Sequence, residues 1–216
     1  MRGLFNADSW FWQRMNEVAD LILLSLMWIV CCLPVVTIGP ATVALYYVML
    51  KKTKEEADEG IWRLFWRSFR MNWKVAGGIG LLFTALGVLL YVDVQFYAQA
   101  QGTLRPFFGA LTVVGGAVYL LLMPYMVGQI AWFHNTVRRY FISGLYLVLR
   151  HFLRSIAMVA VTVLGLAAMY FFPPLIILTP ALVALGHASI LMKIFDRYAT
   201  ASDSDGEEEE TPEDEA

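Results

Sequence analysis

Four apolar stretches without Asp, Glu, Lys or Arg constrain this 216-residue chain more than any other feature. They lie at Leu21–Leu50, Val75–Val92, Pro106–Val137 and Ser155–Met192. A helix crosses the hydrocarbon core with roughly 18 to 20 apolar residues, so each stretch is long enough for at least one span. Charged residues make up only 16% of the chain, whereas a soluble domain has about 25%. We therefore predict an all-α polytopic membrane helix bundle of about five to six spans.

One integral membrane domain is expected at residues 1–200, followed by a disordered acidic tail at residues 201–216. The tail has many carboxylates and almost no apolar side chains, which is typical of disorder. The predicted spans are residues 17–33, 41–54, 75–96, 107–133, 155–172 and 175–194. They consume most of the chain, so no separate catalytic domain is expected.

The first apolar stretch is too long for one straight span and short for two. It contains Pro34, which should end one helix, and Gly39-Pro40, which should begin the next, with Pro at the first helical position. This pattern favours a helical hairpin with the N-terminus in the cytoplasm. The alternative is one kinked span with the N-terminus outside.

The basic residues predict the orientation of the bundle. Most Lys and Arg fall within residues 51–74 and 138–154, between the apolar stretches. Lys and Arg near helix ends stay on the cytoplasmic side, so both segments and the C-terminus are expected there.

Residues 61–74 are predicted to form an amphipathic helix at the cytoplasmic membrane surface. Its bases recur at helical spacing on one stripe: Arg63, Arg67, Arg70 and Lys74. Aromatic residues form the other face, and we expect them to sink to the acyl boundary while the bases meet anionic lipid. Anchoring alone explains this pattern; the functional alternative is contact with a cytoplasmic partner.

Motifs for catalysis are missing from the sequence. The adjacent Cys31 and Cys32 suit neither a disulfide framework nor a metal site, and His187 within an apolar stretch is interpreted as a packing residue. No zinc-protease, triad or phosphate-loop pattern occurs, so no enzyme activity, catalytic residue, cofactor, metal or nucleic-acid partner is expected. The remaining candidate site is the helix break at Thr37, Gly39 and Pro40, whose free N–H groups could hold a ligand.

Three sequence blocks in order carry a family resemblance: LFNADS near the start, LPVVTIGPAT followed by ALYYV, and LFWRSFRMNWK. Together they resemble the YesL family of bacterial integral membrane proteins, a domain of unknown function, from Gly3 to about Tyr198. The resemblance implies a multi-pass plasma-membrane protein, often encoded beside polysaccharide-degrading enzymes and carbohydrate ABC importers. It transfers no catalytic residues, and the acidic tail lies outside the family pattern.

Two functional hypotheses follow from these features. The first is a non-enzymatic accessory protein for carbohydrate uptake or its regulation, whose partners are membrane lipid and a carbohydrate ABC importer or another membrane protein. The second is a transporter or permease subunit that moves a small solute and uses the helix break.

Overall fold

The computed structural model describes residues 10–54, 56, 59–99 and 105–207, which form eight α-helices, two 3-10 helices and no strand. The α-helices are α1 (Trp10–Cys31), α2 (Ile38–Thr53), α3 (Ile61–Met71), α4 (Trp73–Gln99), α5 (Arg105–Trp132), α6 (Val137–Arg150), α7 (Phe152–Phe171) and α8 (Thr179–Glu207). The 3-10 helices lie at Val35–Thr37 and Pro173–Ile177. The predicted all-α bundle is confirmed.

Three helices in the described part of the chain are long and apolar enough to cross a membrane: Trp73–Gln99, Pro106–Trp132 and Phe152–Phe171. The other predicted spans, 17–33, 41–54 and 175–194, fall largely on α1, α2 and α8. α1 has three charged side chains in its first half, and α2 has only 16 residues, fewer than the roughly 20 that a span needs. The count of five to six spans stays a prediction.

Helices α1 and α2 form an antiparallel hairpin. The Trp28 indole N–H donates to the Thr42 hydroxyl at 3.1 Å near the tip, and Lys52 Nζ lies 2.7 Å from Asp20 Oδ2 near the open end. The second helix begins at Ile38 and not at the predicted residue 41. Pro40 is tolerated inside its first turn because N–H groups there have no intrahelical acceptor.

Helix α2 lies at the centre of the bundle. Every residue from Gly39 to Leu50 is buried, and the helix contacts α1, α3, α4, α5 and α8. A helix that is apolar on all sides is shielded from water by protein or by lipid, and here the neighbouring helices cover it. At its end, Lys54 Nζ lies 3.7 Å from Asp196 Oδ1 and 5.3 Å from the centre of the Trp132 ring. The C-terminal ends of α2 and α5 and a late segment of α8 therefore meet at one end of the bundle.

The predicted amphipathic helix at 61–74 is shorter than expected. It ends at Met71, and α4 begins at Trp73. Asn72 separates them: its side-chain amide donates to the Ser68 hydroxyl at 3.3 Å, and its backbone N–H donates to the Ser68 carbonyl at 3.0 Å. Asparagine is a weak helix former, which suits this position between two helices.

Two parts of the chain share one order of helices. The last residues of α2 and α5, the last residues of α3 and α6, and the first residues of α4 and α7 are each 79 positions apart (132 minus 53, 150 minus 71, 152 minus 73). In each part a helix is followed by a shorter amphipathic helix and then, after one residue, by an apolar helix. The amphipathic helices α3 and α6 thus have corresponding places in the order of helices.

The disordered tail was expected from Ala201, but α8 continues to Glu207. Extending an existing helix costs less than starting one, because each added residue makes one bond without a new nucleus. Residues 208–216 lie outside the described part of the chain.

Candidate functional sites

Helix α3 is held against the bundle by its apolar face. Leu64 and Phe65 are fully buried, Phe69 is buried beside them, and the helix packs on α2. The expectation that this whole aromatic face sinks into lipid is wrong, because the apolar surface of α2 covers part of it. Trp62 remains more than half exposed.

The opposite face of α3 presents three arginines to the surface. Arg63, Arg67 and Arg70 are all exposed. Arg67 Nη1 lies 3.0 Å from Glu59 Oε1, and both side chains are about half exposed. An exposed ion pair of this kind contributes roughly 0 to 1 kcal/mol to the free energy of unfolding. Within the described residues no ion pair occupies Arg63 or Arg70. The face therefore keeps most of its positive charge available.

Lys74 belongs to a different helix from these arginines. The break at Asn72 interrupts the predicted stripe, so Lys74 is the second residue of α4. It is exposed, and it borders the same surface depression as Arg70. The four predicted bases are therefore brought to one region of the surface, although not on one continuous helix.

The predicted helix-break site is a packed turn. The Thr37 hydroxyl lies within hydrogen-bond distance of the carbonyl oxygens of Cys31 and Pro34, which closes the turn after α1. Gly39 and Pro40 are buried in the first turn of α2. A Cβ built on Gly39 would lie 2.1 Å from the Ala76 carbonyl oxygen, so α2 and α4 touch backbone to backbone here.

A cavity of about 360 Å³ lies beside this contact, and its wall includes Gly39 but neither Thr37 nor Pro40. Its lining is mostly aliphatic and aromatic, with hydroxyl groups from Thr42, Thr84, Tyr91 and Tyr119. No Asp, Glu, Lys, Arg or His is among the described residues that line it. Such a wall suits an apolar molecule better than a sugar, which needs many hydrogen-bond partners.

A buried polar cluster that the sequence did not reveal connects α2, α7 and α8. His187 Nε2 lies 2.9 Å from the Met158 carbonyl oxygen, which can only accept, so this nitrogen carries the hydrogen. Nδ1 lies 2.5 Å from the Tyr46 hydroxyl. The Thr162 hydroxyl completes the cluster at 3.2 Å from Nε2. His187 is thus a buried packing residue with polar partners at both ring nitrogens.

Tyr46, Thr162 and His187 also line a second cavity of about 300 Å³. Sequence reasoning singled out His187 as a packing residue but missed Tyr46, because two adjacent tyrosines in an apolar run give no sign of which one bonds. Among the described residues no group of three or more His, Cys, Asp or Glu could hold a metal ion.

The helices and their exposed apolar surface define the class: a helical membrane protein with an amphipathic cationic helix on the bundle. Residues 21–94 match the family described as "Protein of unknown function, DUF624". The chain is 28% identical over 111 residues to "Uncharacterized protein YesL" of Bacillus subtilis (strain 168). These matches agree with the resemblance seen in the sequence: the chain is similar to proteins of the YesL family, whose function is unknown.

The match to the Bacillus relative covers 50% of this chain and 53% of the relative, so the chain spans about half the length of the curated relative it matches. No solved structure matches the chain.

Proposed function

We propose that this chain is a non-enzymatic plasma-membrane protein, accessory to carbohydrate uptake or its regulation, that docks a membrane partner through Arg63, Arg67 and Arg70. One observation carries the proposal. Helix α3 is fixed by its buried Leu64 and Phe65, while its arginines stay exposed. A cationic surface on a fixed helix loses little backbone entropy when it binds an acidic partner.

The cytoplasmic side is proposed for this surface, together with both chain termini. The positive-inside rule favours it, since residues 51–74 and 138–154, which include α3 and nearly all of α6, hold most of the bases. Lys54 contacts both Trp132 and Asp196 at one end of the bundle, next to these helices. This contact supports the assignment of that polar end to the cytoplasmic side.

The proposed partner is a carbohydrate ABC importer or another membrane protein with an acidic cytoplasmic surface. The proposed link to carbohydrate rests on the resemblance to the YesL family, whose genes often lie beside genes for polysaccharide-degrading enzymes and carbohydrate importers. The alternative, a permease subunit that uses the helix break, has less support. Gly39 borders a cavity with an apolar wall, and the first turn of α2 is packed against α4.

The test is charge reversal of the α3 face with Arg67→Glu and Arg70→Glu together. We expect co-purification of a co-expressed importer from the same gene neighbourhood to fall more than tenfold, which corresponds to a loss of about 1.4 kcal/mol or more of binding free energy from lost pairing and new repulsion. Membrane insertion and the elution volume in detergent should not change, because both side chains are exposed.

The matched control is Arg138→Glu with Arg139→Glu, which makes the same charge change at exposed positions of α6. It should leave the complex largely intact. A complex that survives reversal on α3, or that is lost equally with both double variants, would contradict docking through this face.

A further inference from the structure

A guanidinium nitrogen without a hydrogen-bond partner among the described residues lies at the start of α7. Arg154 is the third residue of this helix and is partly buried. Its Nη1 atom is shielded from solvent and has no hydrogen-bond partner among the described residues. An arginine stays charged and offers five N–H donors, so a shielded donor of this kind is costly unless an anion meets it.

Two other arginines lie near the start of α7: Arg150 ends α6, and Arg197 is on α8, which packs against α7. Arg150 at the end of α6 and Arg197 on α8 act with Arg154 on the imidazole of His151, the residue between α6 and α7. Burial is the largest cause that lowers the pKa of His151, and the three guanidinium charges lower it further. Among the described residues no carboxylate contributes to this shift. Asp196, the neighbour of Arg197, has its Oδ1 atom 3.7 Å from Lys54 Nζ.

Exposed apolar side chains adjoin the cationic group. Leu149 and Phe152 are exposed on either side of His151, and Leu153, next to Arg154, is 82% exposed. Ile156 continues this surface along α7. A soluble anion makes no favourable contact with exposed apolar side chains. A membrane lipid does, because the acyl chains joined to its phosphate can pack against them.

We propose that Arg154 and Arg197, with Arg150 beside them, bind the phosphate of an anionic membrane lipid whose acyl chains lie along the exposed face of α7. The two free oxygens of a phosphodiester match the planar fork of a guanidinium, so Arg154 has a bidentate acceptor. Arg197 supplies a second charge from α8. The bound lipid thus contacts the last residue of α6, the first turn of α7 and Arg197 on α8. This site is separate from the α3 face and does not depend on the proposed function.

The test follows the ring signals of His151 by NMR in the full chain, purified in a neutral detergent. The chain has only three histidines, so the signals can be assigned by substitution. Short-chain phosphatidylglycerol should raise the titration midpoint of His151, because a phosphate charge offsets the guanidinium field. Phosphatidylcholine with the same acyl chains, which has no net charge, should shift it much less. Exposed His134 reports any general change of surface potential.

Two variants locate the site. Arg154→Gln should weaken phosphatidylglycerol binding about tenfold, as expected for loss of one charge-assisted contact. Arg197→Gln removes an exposed side chain and should weaken it as well without a folding defect. Arg139→Gln, an exposed base on α6, should leave the lipid response within about twofold of the parent chain.

Each remaining outcome overturns part of the proposal. If inorganic phosphate raises the midpoint as much as the lipid at equal concentration, the ligand is a soluble anion and the lipid assignment is wrong. If phosphatidylglycerol moves His134 and His151 equally, or if both Gln variants keep the full response, there is no site at Arg154.

Discussion

Gly80→Ala is expected to prevent stable folding of the chain. A Cβ at this position would lie 2.3 Å from the Gly39 Cα atom and 2.9 Å from the Gly39 backbone nitrogen. Both obstacles are backbone atoms, so no rotamer change relieves the clash and α2 must move away from α4. Because α2 is buried on all sides, this movement disturbs the centre of the bundle. Overpacking costs typically 1 to 3 kcal/mol, and more is expected where backbones touch.

The matched control is Gly78→Ala, two residues earlier in the same helix. No atom lies within 4 Å of a Cβ built there, and alanine is the better helix former by about 0.5 to 1 kcal/mol. The thermal midpoint in detergent should therefore fall sharply, or folded protein be lost, with Gly80→Ala and stay equal or rise with Gly78→Ala. Equal midpoints for the two variants would contradict the close contact of α2 and α4.

Phe65→Ala is expected to detach α3 from the bundle. The Phe65 side chain is fully buried between α3 and the central helices. Removing a buried phenyl group lowers the free energy of unfolding by about 3 to 5 kcal/mol. A helix of 11 residues is not stable by itself, so it depends on this packing. Faster backbone hydrogen exchange confined mainly to residues 61–71 is the expected measurement, and binding of the proposed partner should weaken with it.

Trp62→Ala is the control, since it removes a larger aromatic side chain that is 55% exposed. It should leave exchange in α3 close to that of the parent chain. If Trp62→Ala loosens α3 as much as Phe65→Ala does, the buried face does not hold the helix. The rigid presentation of the arginines would then lose its basis.

Much of this fold could be predicted because the membrane simplifies the sequence. Charge-free stretches locate the long helices α4, α5 and α7, and Pro34 with Gly39-Pro40 locates the hairpin turn. The end of α3 at Met71 was harder to predict. The periodic pattern of bases continues through Lys74, so it gives no sign of the one-residue break at Asn72.

The burial of α2 could not be predicted from the sequence either. An apolar helix of 16 residues looks the same whether lipid or protein surrounds it, and only tertiary contacts show that protein does. The same reason hid the bond between Tyr46 and His187, which joins residues 141 positions apart. The exposed bases Arg63, Arg67 and Arg70, in contrast, could be predicted because helical spacing alone places them on one face.

Cysteine accessibility across α4 tests the central claim, that this helix crosses the membrane and keeps the α3 arginines in the cytoplasm. Met71, before α4, and Gln99, its last residue, are both exposed, and a helix of 27 residues separates them by about 40 Å. Each is replaced by cysteine in a chain with Cys31→Ala and Cys32→Ala. In intact cells an impermeant maleimide should label only the cysteine at position 99, and position 71 should react after permeabilisation. Labelling of both positions in intact cells, or of position 71 alone, would contradict the account.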